Sequence, residues 1–476
     1  MSRYTSATPA DRAEMLATIG VDSVADLFEQ VPEPLRLNRP LALEQGLGEA
    51  EVYERLAALA ERNSDAEEQV CFLGAGMYDH YVPAIVDAIT QRSEFLTPYT
   101  PYQPEISQGG LQAMFEFQTM MSELTALPVS TAGLYEGPSS VASAGYLAIG
   151  ATGRRRFVVS RGLHPHSRET LTTYSQGYDA EIAEVGLEDG ATDATALAAA
   201  VDDDTAAVFL QSPNFLGAVE DVEALGAAAK EHGALLIVAV DAMTLGVLRP
   251  PGECGADVAL GEGQPLGNRL DFGGPSFGFF CGTEELMRKM PGRIAGETDD
   301  VDGRRGFVLA LQTREQHIRR EKATHNICTA QALNALAATV HLAWLGREGF
   351  RELGELLVRR TAYARERLAA LDGIEPLHGA PVVREFAVRL DAPVDRVLER
   401  CAERGIAAGY PLGRDYSEYE DGLLIAITER RSREQVDALA EALGAAVAAE
   451  CGDFPIHNSG KSPQTKPQPP QTQEIG

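Results

Sequence analysis

Short apolar runs alternate with helix-patterned segments through the middle of this chain. The runs are typical of buried strands because they are short, largely apolar and bounded by turn residues. Four of them are RRRFVVS (154–160), AEIAEVG (180–186), TAAVFLQSPN (205–214) and ALLIVAVD (234–241). Strands that alternate with helices in this way predict an α/β fold with a mostly parallel sheet covered on both faces. Ligands of such sheets bind beyond the carboxyl ends of the strands, where residues 136–140, 160–166, 211–214 and 241–244 are expected.

The pattern changes at both ends of the chain. The N-terminal segment has apolar residues at helical spacing, interrupted by Pro32, Pro34 and Pro40. After residue 347 the order becomes helix, strand, helix, strand, helix, which is typical of a small α+β domain. The last residues are rich in Pro, Gln, Ser and Thr and cannot form a core. We therefore predict an N-terminal helical arm (1–62), a large α/β domain (63–325), a small α+β C-terminal domain (326–451) and a disordered tail (452–476).

The charge balance narrows the possible partners. The chain of 476 residues has 70 acidic and 41 basic side chains and a net charge of −29. Nucleic acid is excluded as a partner because a phosphate backbone needs a basic face. Such an acidic surface is tolerated best where salt screens its self-repulsion, so we interpret it as the surface of a halophile's protein.

Composition also predicts the compartment. No run of 18 uncharged apolar residues occurs and the first residues contain no apolar signal, so we expect neither a membrane span nor export. The six cysteines lie far apart without metal-ligand spacing. They are expected to be free thiols in a reducing cytoplasm.

Two short motifs resemble nucleotide-binding or metal-binding patterns, but we expect neither function for them. Gly74 and Gly76 resemble the start of a dinucleotide fingerprint, but the third glycine and the acidic residue are missing, so a tight turn is expected. His164 and His166 lack further ligands in a fixed array. A loop histidine, or one stacked beside a ring, is therefore favoured over a metal site.

The segment 233–282 has the pattern of a cofactor site without its nucleophile. Enzymes that hold pyridoxal phosphate on a large α/β domain place an acidic residue at a strand end, facing the pyridinium nitrogen, and a Schiff-base lysine further along. Asp241 matches the acidic residue. No lysine occurs between Lys230 and Lys289, however, and Gln264 stands in the loop where the lysine is expected.

A proline-rich loop precedes these elements. The segment FLTPYTPYQPEISQGG (95–110) combines three prolines with tyrosines and amides, and a regular helix is predicted only after Gly110. Prolines restrict a backbone at low entropic cost, which suits a loop that holds side chains for a ligand. A rigid loop that faces solvent is the alternative, and composition alone does not decide between them.

Several segments together resemble one family, the glycine dehydrogenase (decarboxylating) or P-protein of the glycine cleavage system. They are FLGAGMYDHYVPAIV, TPYTPYQPEISQGGLQAMFEFQTMMSELTAL, GEGQPLG and ATHNICTAQAL. The resemblance implies a large domain of the fold-type-I pyridoxal-phosphate-transferase-like class. It also implies a split enzyme, in which this chain pairs as αβ or α2β2 with a lysine-bearing P-protein subunit 2.

The resemblance further implies glycine decarboxylation and transfer of the aminomethyl group to the lipoyl arm of H-protein. Pyridoxal phosphate is expected on the partner subunit and not covalently on this chain. The match to the family's motif implies that six residues of this chain form part of a shared pocket, with Thr97 and Asn326 as secondary candidates. The six are Tyr99, Tyr102, Gln103, Glu105, Ser107 and Gln108.

Two other readings remain open. A stand-alone aminotransferase or desulfurase-like enzyme would need the lysine that is missing at Gln264. A catalytically silent scaffold that stabilises its partner or docks H-protein needs no active residues at all.

Overall fold

A computed structural model of the chain describes residues 6–37, 39–327 and 331–452, without the side chains of 451 and 452. It contains two compact units, one ending at Ser64 and the other beginning at Asp65. The predicted tail lies, from residue 453 onward, outside the described residues. Within the described ranges, no helix has the length and apolar character that a membrane span requires.

The first unit contains two helices, α1 (Pro9–Ile19) and α2 (Glu49–Ala60). Helix α1 begins after Thr8, whose hydroxyl accepts a hydrogen bond from the Asp11 N–H while the Asp11 carboxylate accepts one from the Thr8 N–H. This reciprocal capping satisfies two of the N–H groups that a helix start leaves without partners. No side chain in α1 or α2 is buried.

The second unit contains all the strands among the described residues. They are β1 (Val70–Cys71), β2 (Val129–Ser130), β3 (Arg156–Ser160), β4 (Glu181–Val185), β5 (Leu187–Glu188), β6 (Ala191–Thr192), β7 (Thr205–Ser212), β8 (Leu235–Val240), β9 (Val258–Glu262), β10 (Gly278–Gly282), β11 (Ile294–Asp299), β12 (Arg305–Ala310), β13 (Ile374–Pro376), β14 (Glu385–Leu390), β15 (Ile406–Ala407), β16 (Tyr410–Pro411) and β17 (Gly422–Ala426).

Its helices complete the list of regular elements. They are α3 (Ala84–Thr90), α4 (Ser93–Leu96), α5 (Pro104–Thr125), α6 (Gly137–Thr152), α7 (Pro165–Tyr178), α8 (Ala194–Ala200), α9 (Val222–Leu225), α10 (Ala227–Glu231), α11 (Gln316–Arg319), α12 (Ala332–Ala369), α13 (Val394–Ala402) and α14 (Arg433–Gly452).

A seven-stranded sheet in the order β2-β10-β9-β8-β7-β3-β4 forms the centre of this unit. Strands β9, β8, β7, β3 and β4 are parallel, and β10 runs antiparallel between β9 and the short edge strand β2. Alternate residues of β8 enter different cores: Leu236 and Val238 pack on one face, Ile237 on the other. Because both faces are covered, the central strands β7 and β8 are almost entirely apolar, whereas the edge strand β4 carries exposed glutamates. The predicted mostly parallel α/β sheet is confirmed.

One predicted boundary is wrong, and one hairpin was not predicted. Strands β11 and β12 form this antiparallel hairpin after the glycine-rich loop. Helix α5 begins at Pro104 and not after Gly110, with one break in helical geometry at Ser107. Proline is favoured in the first turn of a helix, where its missing N–H costs nothing.

The C-terminal part follows helix α12, which spans 38 residues and breaks at Gly346, where φ is +60°. A four-stranded antiparallel sheet of order β13-β14-β17-β16 then packs with α13 and α14 around its own core. This matches the helix and strand rhythm predicted from residue 347. The boundary between 325 and 326 stays a prediction.

Candidate active site

The carboxyl ends of the parallel strands border a cavity of about 450 Å³, here named the strand-end cavity. Its wall includes segments that the sequence placed at those ends, and its polar lining includes Tyr78, Glu136, His164, Asp241, Glu262 and Glu385. A ligand-sized space is therefore present where the fold predicts one.

Gln264 is fully buried beside this cavity and all of its amide is used. Its Nε2 donates to the carbonyls of Tyr78 (3.0 Å) and Asn268 (2.9 Å), and its Oε1 accepts the Tyr78 N–H at 2.9 Å. The side chain therefore clamps the turn after β1 to the loop after β9. It cannot form an imine.

Asp241 is paired within the chain. Its Oδ2 lies 2.5 Å from Nε of Arg384, a residue that is 2 % exposed. The Arg384 guanidinium lies 3.4 Å from the centre of the Tyr78 ring, a cation–π contact. An acidic group at the strand end is present as predicted, but a guanidinium of the same chain already neutralises it.

Tyr78 and Glu385 complete this cluster. The Tyr78 hydroxyl donates to Glu385 Oε2 at 2.5 Å, and the Ala75 N–H donates to Glu385 Oε1 at 2.7 Å. Burial raises the pKa of the Glu385 carboxyl and holds the pKa of the Tyr78 hydroxyl well above its usual value. The hydroxyl is therefore a hydrogen-bond donor and not a base.

The start of helix α6 also faces the cavity and has carboxylate partners. The Gly137 N–H donates to Glu262 Oε2 at 3.0 Å, and the Ser139 N–H donates to Glu136 Oε1 at 2.9 Å. Glu262 accepts the Ser276 hydroxyl as well, and burial raises its pKa. Helix N-termini of this kind bind phosphates through free N–H groups. Here the carboxyl groups of Glu136 and Glu262 accept hydrogen bonds from those N–H groups instead.

Pyridoxal phosphate does not fit this set of residues. The cofactor needs an amine for its aldehyde, a free carboxylate for its ring nitrogen and N–H donors for its phosphate. In the strand-end cavity the first is an amide, the second is paired with Arg384, and the donors are taken by Glu136 and Glu262. A phosphate placed there would meet two acidic side chains.

The histidines and glycines of the short motifs have structural roles. His164 Nδ1 accepts the His166 N–H at 3.1 Å, and its Nε2 lies 2.9 Å from the Ala75 carbonyl. Residues 75 and 76 form the predicted tight turn, in which Gly76 has a φ of +95°. Across residues 6–37, 39–327 and 331–452, no group of three or more His, Cys, Asp or Glu side chains is placed to hold a metal ion.

The six motif residues of the proline-rich segment do not form one cluster. Tyr99 and Ser107 line an apolar groove of about 240 Å³ between this segment and the start of α12. Tyr102 lines a separate cavity of about 400 Å³, here named the Tyr102 cavity. Gln103 precedes α5 without a side-chain capping bond, and Glu105 is exposed.

Gln108 is committed to the fold. Its Oε1 accepts the Phe307 N–H at 2.8 Å, and its Nε2 donates to the carbonyls of Phe307 and Pro104, both at 2.8 Å. Of the secondary candidates, Thr97 donates its hydroxyl to the Ser93 carbonyl, and Asn326 is exposed.

Sequence reasoning missed several polar groups that the fold brings to these sites. They are Arg384 and Glu385 at the strand-end cavity, and Arg293, Glu315 and His317 at the Tyr102 cavity. Glu262 could have been found, because it closely follows the short apolar run 256–260, as Asp241 follows its own apolar run. Nothing in the sequence marks Arg384, which lies far from Asp241 along the chain.

Comparisons with known proteins agree on one family. The family model of the glycine cleavage system P-protein matches residues 2–443. A probable glycine dehydrogenase (decarboxylating) subunit 1 of Geobacillus thermodenitrificans is 47 % identical over 93 % of this chain and 99 % of its own length. A protein of the same name from Moorella thermoacetica is 49 % identical over 92 % of this chain and 98 % of its own.

Solved structures agree as well. A crystal structure of glycine decarboxylase (P-protein) of the glycine cleavage system, in inhibitor-bound form, superposes with a TM-score of 0.85 at 42 % identity, covering 94 % of this chain and all of that one. A sphingosine-1-phosphate lyase of Burkholderia pseudomallei, with a TM-score of 0.63, is 16 % identical over 87 % of this chain and 93 % of its own. The second likeness shows the fold alone. The predicted fold-type-I architecture is confirmed.

Proposed function

Because the chain belongs to the glycine cleavage system P-protein family, we propose that it is the non-lysine subunit of a two-subunit glycine decarboxylase. Glycine would lose CO2 in a pocket shared with a lysine-bearing subunit 2, and the aminomethyl group would pass to the lipoyl arm of H-protein. Relatives matched over 92–93 % of this chain are named subunit 1, which supports a heteromeric enzyme.

One observation carries the proposal: the buried amide of Gln264 stands where a fold-type-I enzyme needs its amine. The pairing of Asp241 with Arg384 points the same way. We infer that pyridoxal phosphate, which supplies an electron sink when bound, belongs to subunit 2.

The contribution of this chain is a wall of the shared pocket. Tyr99 is 78 % exposed, and Gln103 is also exposed, so both are available to a partner or substrate. A tyrosine hydroxyl and an amide can orient a small polar substrate by hydrogen bonds. Gln108 acts indirectly, because its bonds to Phe307 and Pro104 hold the first turns of α5 in place.

A second candidate function is a catalytically silent scaffold that stabilises subunit 2 or docks H-protein. It is favoured by one observation: the polar groups that face the strand-end cavity, namely Arg384, Asp241 and Glu385, already bond to each other or to nearby groups of this chain. The two candidates differ in whether the exposed motif residues affect chemistry.

Substitution of Tyr99 and Gln103 by alanine in the assembled complex tests the proposal. Neither side chain makes a hydrogen bond within the described part of the chain, so both variants are expected to fold and assemble. We expect glycine–bicarbonate exchange to fall about tenfold or more, since a lost hydrogen bond to a charged group contributes about 1.5–3 kcal/mol. Gln112→Ala, on an exposed face of α5 where Gln112 bonds Glu116, is the matched control. Full exchange by an intact Tyr99→Ala, Gln103→Ala complex would support the scaffold instead.

We also propose a cytoplasmic, salt-rich setting. The described side chains of four cysteines are free thiols, three of them buried, as a reducing compartment allows. With a net charge of −29, self-repulsion should weaken as salt rises. We expect the melting temperature to increase when KCl is raised from about 0.1 M to about 1 M, where the Debye length falls from about 10 Å to about 3 Å. A melting temperature that falls over this range would contradict a halophilic surface.

A further inference from the structure

The Tyr102 cavity differs in charge from the chain around it. It has a volume of about 400 Å³ and is lined by Tyr102, Arg293, Glu315, Gln316, His317, His325 and Ile327. Arg293 is 4 % exposed and Glu315 also 4 %. Buried Arg314 does not line the cavity, but its guanidinium donates at 3.0 Å to the carbonyl of Gly292, the residue whose N–H bonds to His325. Two guanidinium groups and one carboxylate leave this site with a net positive charge, in a chain whose total is −29.

The negative charge of Glu315 is already engaged. Its Oε2 accepts the Tyr102 hydroxyl at 2.8 Å and lies 3.4 Å from Nδ1 of His317. The Tyr102 hydroxyl in turn accepts a hydrogen bond from Nη2 of Arg293 at 3.2 Å. The hydroxyl is thus held between the guanidinium and the carboxylate and fixes their separation.

His325 brings an unused donor to the same cavity. It is 1 % exposed, and its Nδ1 accepts the N–H groups of Gly292 (3.0 Å) and Ile327 (3.4 Å). Since Nδ1 is an acceptor, the ring proton lies on Nε2. Burial, with Arg293, Arg314 and His317 nearby, lowers the pKa of His325 to about 3, so the ring is neutral. Nε2 has no hydrogen-bond partner among the described residues.

A buried donor without a partner is costly, which indicates that an acceptor belongs there. An apolar ligand would leave Nε2–H unsatisfied, and a cation would be repelled by the two guanidinium groups. A small anion with planar oxygens satisfies both features, because one oxygen can accept from His325 while its charge is compensated by arginine.

We propose that the Tyr102 cavity binds a small anionic group of the carboxylate type, with the His325 Nε2–H as donor and Arg293 as counter-charge. As an assignment to the reaction it rests on the proposed function, in which glycine carries such a group and the released CO2 hydrates to bicarbonate, an anion of the same class. Tyr102 is then a positioning residue, which holds Arg293 through its hydroxyl. The proposal thereby assigns a role to Tyr102, one of the six motif residues.

Anion binding to the full chain without its partner tests the assignment. [13C]Acetate, [13C]bicarbonate and [13C]glycine are titrated separately at constant ionic strength and followed by NMR. We expect saturable binding of at least one of them by the wild-type chain. His325→Asn retains an oxygen near the Nδ1 position for the Gly292 N–H but lacks the Nε2 donor, so binding should weaken about tenfold. Arg293→Gln should weaken it further by removing the charge.

His232→Asn is the matched control. His232 lies before β8, where its Nδ1 is 2.8 Å from Asp203 on the surface, and the same substitution there should leave anion affinity unchanged. Thermal unfolding of each variant shows whether it is folded. If His325→Asn is unfolded, Arg293→Gln and Tyr102→Phe carry the comparison.

The three titrated ligands show whether the cavity binds the substrate or the product of the reaction. Binding of glycine and acetate supports a site for the substrate carboxylate, and binding of bicarbonate alone supports a site for the hydrated form of the released CO2. Absence of saturable binding by any of the three, or equal affinity in wild type and folded His325→Asn, would overturn the proposal. This measurement needs no catalysis. Exchange by the Tyr99 and Gln103 variants therefore tests the proposed function, and anion binding tests the proposal for this cavity.

Discussion

At the scale of single residues, Arg384 decides what the strand-end cavity can hold. Its guanidinium is in contact with the Tyr78 ring and paired with Asp241. A buried pair is costly to desolvate, but removal of one partner leaves the other charge without compensation. Because Arg384 already compensates its charge, the Asp241 carboxylate is not available to pair with a positively charged group of a ligand.

Arg384→Met should lower the free energy of unfolding by about 3–5 kcal/mol, because it leaves Asp241 unpaired beside the core. Urea unfolding of the purified chain measures the change. The double variant Arg384→Met, Asp241→Asn should recover part of the loss, since neither charge remains. A loss below about 1 kcal/mol in the single variant would mean that solvent already compensates Asp241.

The sequence predicted an acidic group at this site but not its pairing with Arg384. An apolar run that ends in Asp241 predicts an acidic group at a strand end, and the absence of a lysine is read directly from residues 231–288. Arg384 is a cation before a later strand, with no local pattern that relates it to Asp241. Its contact depends on tertiary packing of β14 against the end of β8, which periodicity does not encode.

At the scale of elements, the start of α5 and the hairpin β11–β12 depend on each other. Gln108 forms two bonds with Phe307 on β12, and Gln118, further along α5, bonds to the backbone of Ala295 on β11 through both ends of its amide. Two glutamines ten positions apart on one helix thus attach it to both strands.

Gln108→Ala should loosen this attachment. Since the Phe307 N–H and carbonyl would lose their partner, we expect the free energy of unfolding to fall by about 1–3 kcal/mol. The Phe307 amide should also exchange faster with deuterium. Gln112→Ala, whose bond to Glu116 is exposed, is expected to change neither quantity. Unchanged protection at Phe307 would mean that the hairpin holds its position without Gln108.

The same elements explain the wrong helix start and the hairpin that was not predicted. Gly109 and Gly110 weaken the helical pattern, so the helix was placed after them, yet Pro104 was a valid first-turn signal. The segments IAGETD and RGFVLA lack a clear alternation of apolar and polar residues, and much of β11 is exposed. Attachment by Gln108 and Gln118 supplies order that composition does not predict. The four apolar runs named from the sequence, which form β3, β4, β7 and β8, needed no such support and were predicted correctly.

At the scale of the whole molecule, several histidines are buried without charge. Burial lowers the pKa of His80, His164 and His341 to about 4, from 6.5 in the unfolded chain. Their stabilising effect is complete above about pH 6.5. It is lost as pH falls toward about 4, because the unfolded chain then binds protons that the folded chain refuses.

We therefore expect the free energy of unfolding to decrease between about pH 6.5 and about pH 5, by up to about 1.4 kcal/mol per histidine and pH unit. Urea unfolding curves across this range measure the slope. Glu262 and Glu385, whose pKa values burial raises, act in the opposite direction. Comparison with His164→Asn isolates the histidine contribution, since the slope should become shallower. An equal slope in that variant would show that His164 does not titrate on unfolding.

The Arg384–Asp241 pair bears finally on how a cell makes this chain when vitamin B6 is scarce. A protein that binds its cofactor only when folded gains stability in proportion to the logarithm of cofactor supply. The guanidinium over Tyr78 is part of the polypeptide, so its supply never varies. Under the proposed function, the stability of this chain would not depend on cofactor supply, whereas that of a cofactor-binding partner would.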